Sequence, residues 1–70
     1  MAAPVFELAK EYIRRLHERD FGPCSDITVT ETDEAYCFHT YSLKDGQRSG
    51  LAFSKKTMTV EYVSRLISFF

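Results

Sequence analysis

The stretch AYCFHTYSLKDGQRSGLAF, residues 35–53, decides the fold. Its first part, 35–43, is dense in aromatic residues that fit a pleated, half-buried surface. Asp45-Gly46 follows, and the chain returns through 47–53. Glycine takes positive φ readily, so Asp-Gly between two such runs predicts a β-hairpin closed by a tight type I′ turn. Side chains alternate across a strand, which sets Tyr36 and Phe38 on one face and Cys37, His39 and Tyr41 on the other. Leu51 and Phe53 share one face of the returning strand.

Working outward, residues 26–31 alternate with β-branched side chains and predict another strand, with Ile27 and Val29 inward. Residues 32–34 make a short turn. Upstream, Val5, Leu8, Ala9, Tyr12 and Leu16 recur at helical spacing, predicting a helix over 4–20. Pro4 suits its first turn, and Phe21-Gly22-Pro23 ends it, because glycine supplies the left-handed cap and proline cannot continue the helix. Downstream, Val60, Val63, Leu66, Ile67 and Phe70 form the apolar stripe of a helix over 56–69, with Ser54 or Thr57 as its cap. The expected architecture is α+β: α-β-β-β-α, a three-stranded antiparallel sheet with both helices packed on one face and the other face left to solvent. Residues 1–70 are expected to form a single domain.

The balance of charge is close to neutral, −1 over 70 residues, so the whole-chain sum points to no polyanionic partner. Its distribution is uneven. Four acidic residues (Asp26, Glu31, Asp33, Glu34) and no basic one lie between 26 and 34, whereas 44–65 carries five basic residues against two acidic ones. An acidic edge and a basic edge are expected. No apolar run approaches the ~20 residues of a membrane span. The two cysteines, Cys24 and Cys37, fit no metal or redox spacing, and reduced thiols in an intracellular compartment, cytoplasmic or nuclear, are the plain reading.

Few constellations invite chemistry. Cys37 and His39 share a strand face, but their roots stand about 6.5–7 Å apart, too far for a thiolate–imidazole pair. His17, His39, Cys24 and Cys37 lack the close pairing of structural zinc ligands. No enzyme activity, metal or cofactor is therefore expected. Glu31, Asp33 and Glu34 mark a solvated turn that could attract a basic partner. Ser54-Lys55-Lys56-Thr57, at the expected start of the last helix, places two cations beside a helix N-terminus, a setting suited to phosphate.

In this order these segments resemble the double-stranded-RNA-binding domain, and the likeness covers nearly the whole chain. Glu11-Tyr12 is similar to the family's Leu-x-Glu-Tyr segment, Phe21-Gly22-Pro23 to its passage into the first strand, and Asp45-Gly46 to its hairpin. The run from Gly50 to Lys56 is similar to its Gly-x-Gly-x-Ser-Lys-Lys. The resemblance implies weak, shape-specific binding of double-stranded RNA across minor grooves and phosphates, with Glu11, Arg15, Lys55 and Lys56 as contacts. Thr59 and Met58 depart from the family's lysine and alanine, and the loop from Glu31 to Glu34 lacks its histidine element. The alternative is a protein-interaction or dimerising version of the same fold, using Tyr41, His39, Glu31, Asp33 and Glu34, with a homodimer among its options. The strand 36–42 and the segment 60–67 are also loosely similar to some small bacterial immunity proteins, a minority reading that lacks their usual tryptophan.

Overall fold

The computed structural model describes residues 4–69. Helix α1 runs Pro4–Phe21, strands β1, β2 and β3 run Thr28–Glu31, Ala35–Tyr41 and Arg48–Ser54, and helix α2 runs Val60–Ser68. The strands form one antiparallel sheet in the order β1-β2-β3. The two helices pack against it, giving the expected α+β architecture.

The core follows from the alternation in β2. Phe38 is fully buried and packs edge-on against Phe53 of β3, ring centroids 5.6 Å apart. Ala9 and Ile13 of α1, Val63 of α2 and Met58 close over them. Phe6 meets Tyr36 edge-on at 4.8 Å, pinning the start of α1 over β2. The buried line of α1 is Ala9, Ile13 and His17, with Val5, Leu8 and Tyr12 partly covered. The expected stripe omits Ile13 and His17: Ile13 belongs to the core cluster, and His17 is covered by Ser49 of β3 and the ring of Phe21.

Several boundaries differ from expectation. The first strand begins at Thr28, not at 26. Ile27 is half-buried, but Val29 remains 39% exposed. Val29 pairs with Phe38 and shares its face, yet α1 lies over β2 and β3, so among the described residues no helix covers the edge strand there. The second strand stops at Tyr41: Ser42 makes an isolated bridge with Cys24, and the turn to β3 begins at Leu43.

The hairpin turn is not type I′. Gly46 does take positive φ (+77°), but among the described residues no non-glycine does, so Asp45 cannot supply the second such position. Ser42 N–H instead bonds Gln47 C=O at 2.8 Å, and Gly46 N–H bonds Ser42 C=O at 2.8 Å, closing a longer loop. The Asp45 carboxylate accepts from Gln47 N–H. Gly22, at φ +83°, ends α1 as expected, its N–H returning to Glu18 C=O.

The last helix starts four residues late, at Val60. Neither Ser54 nor Thr57 caps it. The Ser54 carbonyl is taken by the N–H groups of Thr57 and Met58, a turn that drives Met58 into the core. Thr59 is the cap: its backbone is extended and its hydroxyl accepts from Tyr62 N–H at 3.2 Å. In the expected stripe Val63 is buried, Leu66 and Ile67 are half-buried and Val60 is exposed, while Phe70 lies outside the described residues.

Candidate functional site

Each side chain expected to meet RNA has a position and, in most cases, a partner. Glu11 sits on the outer side of α1, where Arg14 and Arg15, three and four residues on, both reach its carboxylate. Arg15 Nε donates to Oε2 at 2.8 Å. That hydrogen bond holds the Glu11 carboxyl below its ordinary range, against the opposing effect of burial, and the charge of Arg14 adds to it.

Lys55 follows β3 directly. Its ammonium lies 2.5 Å from a Glu31 carboxylate oxygen and 5.0 Å from the centroid of the Tyr36 ring. Its backbone N–H bonds Glu34 C=O at 2.9 Å. The acidic turn carrying Glu31, Asp33 and Glu34 therefore stands beside Lys55. Lys56 is exposed in the turn before α2, and Thr57 to Thr59 separate it from the first helical residue. The expected arrangement of two lysines opening a helix N-terminus does not form, because the cap lies at Thr59.

The opposite side of the sheet is open. Strand register places Thr28 and Thr30 of β1, Cys37, His39 and Tyr41 of β2, and Arg48, Gly50 and Ala52 of β3 on this face. Tyr41 is 51% exposed. A shallow depression of about 250 Å³ runs across it, bounded by Asp26, Thr28, His39, Tyr41 and Arg48. Among the described residues neither Arg48 nor Asp26 has an ion-pair partner. His39 lies against Gly50: a β-carbon on Gly50 would stand 3.2 Å from His39 Nδ1. Cys37 and His39 are neighbours on this face without a hydrogen bond between them.

No family model matches the chain, and neither a curated protein nor a solved structure matches it. The site is therefore judged on its geometry.

In the sequence His17 reads only as a candidate metal ligand; in the fold it has a different place. It is 1% exposed, with Nδ1 2.7 Å from Ser49 Oγ and its ring 5.1 Å from that of Phe21. Its Nε2 is buried without a hydrogen-bond partner. Among the described residues no three His, Cys, Asp or Glu side chains gather as metal ligands, and no helix is long and apolar enough to cross a membrane. Arg48 and Asp26 were absent from the sequence-based candidates. Only the strand register reveals that they flank the same depression as His39 and Tyr41.

Proposed function

We propose that this chain is a non-catalytic protein-interaction module whose contact surface is the open sheet face with the outer edge of β3. The contrast between two surfaces carries this reading. On the open face Tyr41 is half-exposed, and Arg48 and Asp26 have no ion-pair partner among the described residues. Tyrosine and arginine are the residue types that anchor protein interfaces. The small side chain of Ala52 leaves room for a partner to approach the backbone, whereas the His39 ring covers Gly50. On the other surface Glu11 is engaged by Arg14 and Arg15, and Lys55 by Glu31. A phosphate would have to displace the Glu31 carboxylate and approach past Asp33 and Glu34.

A second reading is weak, shape-specific binding of duplex RNA. Its support is Lys56, exposed and without an ion-pair partner among the described residues, next to Lys55 and on a chain whose segments resemble the RNA-binding family.

One titration separates the two. The domain is observed by amide NMR while a ~20-base-pair RNA duplex, long enough to span two minor grooves, is added at low and at moderate salt, with matching DNA as control. The interaction reading expects no duplex-specific shifts. Salt-sensitive shifts at Arg15, Lys55 and Lys56 with RNA alone would replace it with the second reading, since phosphate contacts release counterions and weaken steeply with salt.

A further inference from the structure

The two edges of the sheet are unlike. β1 is four residues long, ends in Glu31 and is flanked by Asp26, Asp33 and Glu34. Short length and charge are the usual protections of an edge strand. β3 is seven residues long, has no proline and carries one charge, Arg48, at its start.

The direction of its backbone groups follows from the ladder. Ser42 N–H to Gln47 C=O at 2.8 Å and Lys55 N–H to Glu34 C=O at 2.9 Å are bonded pairs at its two ends. Bonded and non-bonded pairs alternate in an antiparallel ladder. In the observed register the bonded pairs are therefore Tyr36 with Phe53, Phe38 with Leu51 and Thr40 with Ser49. Arg48, Gly50, Ala52 and Ser54 turn their N–H and C=O groups away from β2. The Ser54 carbonyl is used by the following turn. The outward groups of Arg48, Gly50 and Ala52 meet no partner among the described residues, and β3 ends the sheet.

Resting on the interaction reading, we propose that this edge pairs with β3 of a second copy of the chain, antiparallel, about a two-fold axis at Leu51. A two-fold interface uses the same patch on both partners, and this patch matches itself. With Leu51 opposite Leu51 of the second copy, the outward groups of Gly50 face those of Ala52, and a bonded pair forms on each side of the axis. Arg48 falls opposite Ser54, so no like charges meet. The two small residues, Gly50 and Ala52, oppose one another on the open face. Leu51, 38% exposed in the single chain, enters a close non-bonded pair in which side chains stand about 4.5–5.5 Å apart. A hollow of about 180 Å³ adjoins this edge on the helix side, walled by Tyr12, Phe53, Tyr62 and Leu66. It provides an apolar flank for the incoming strand.

The test is sedimentation velocity of the whole chain from roughly 10 µM to 1 mM, the range in which a small interface is measurable. The expected result is a concentration-dependent dimer that Ala52→Pro weakens at least about tenfold. Proline at 52 removes an outward N–H and no β2–β3 ladder bond, which is where edge strands accept it. Amide dispersion verifies that the variant is folded. Should Ala52→Pro unfold the chain, Leu51→Lys makes the same test, because it sets two like charges directly opposite one another at the axis, and a dimer that this folded variant leaves intact overturns the proposal as well. A wild-type chain monomeric throughout the range, or a dimer that a folded proline variant leaves intact, overturns the proposal. If that monomer also shows no duplex-specific RNA shifts, only self-pairing is lost; salt-sensitive RNA shifts would remove the interaction reading itself.

Discussion

The Lys55 ammonium is clasped between the Glu31 carboxylate, 2.5 Å away, and the face of Tyr36, 5.0 Å from the ring centroid. The clasp ties the residue after β3 to the end of β1 across β2. Glu31 is largely exposed, so the ion pair itself is worth little. Glu31→Gln is expected to lower stability by less than about 1 kcal/mol in urea unfolding. The difference should shrink further in about 1 M salt, which screens exposed charges.

His17 and Ser49 predict a non-additive pair. Ser49→Ala alone leaves both ring nitrogens of a buried imidazole without partners, and costs about 1–3 kcal/mol. Combining it with His17→Leu removes the orphaned polar atoms and fills the space with an apolar side chain. The double variant is expected to be more stable than Ser49→Ala. Chemical denaturation of the four members of the cycle checks this, and an additive result contradicts the account.

Thr59 is the test of where α2 begins. Thr59→Ala removes the acceptor for Tyr62 N–H and should cost about 1 kcal/mol. Thr57→Ala should cost measurably less, because its hydroxyl reaches only the Ser54 carbonyl, at 3.4 Å. Thermal unfolding of both variants ranks them, and the reverse order would move the cap to Thr57.

Glu11 makes a pH-dependent contribution. Its carboxyl is held below the ordinary value of 4.5, chiefly by the hydrogen bond from Arg15. A lowered folded-state value means that the carboxylate stabilises the fold at pH above 4.5, and that this contribution fades as pH falls through the lowered value. Glu11→Gln should therefore be less stable than the parent at neutral pH by about 0.3–0.5 kcal/mol per pair lost. The two should converge in strong acid. A gap that persists there would assign the loss to packing.

Much of the fold was legible in residue spacing. Alternation over 35–41 separated Phe38 from His39, and the sheet buries the one and exposes the other as read. Gly22 and Gly46 were readable because positive φ is inexpensive only for glycine. The candidate site was less legible. Lys55 and Lys56 read as a pair of free cations at a helix start, yet Lys55 is engaged by a residue 24 positions earlier. Arg48 and Asp26 read only as members of a basic and an acidic stretch, since their shared depression exists only once β1, β2 and β3 are in register.

Local sequence determined the order and type of every element, because propensity, hydrophobic period and glycine turns act over a few residues. Tertiary structure alone decided the rest. α2 starts at Val60, capped by Thr59, because burying Met58 spends the preceding turn. Val29 stays exposed because α1 covers β2 and β3 instead. Lys55 is paired because three strands bring the Glu31 carboxylate beside it, and β3 keeps its outward backbone groups because the sheet ends there. Each depends on contacts between residues far apart in the chain, which no local pattern encodes.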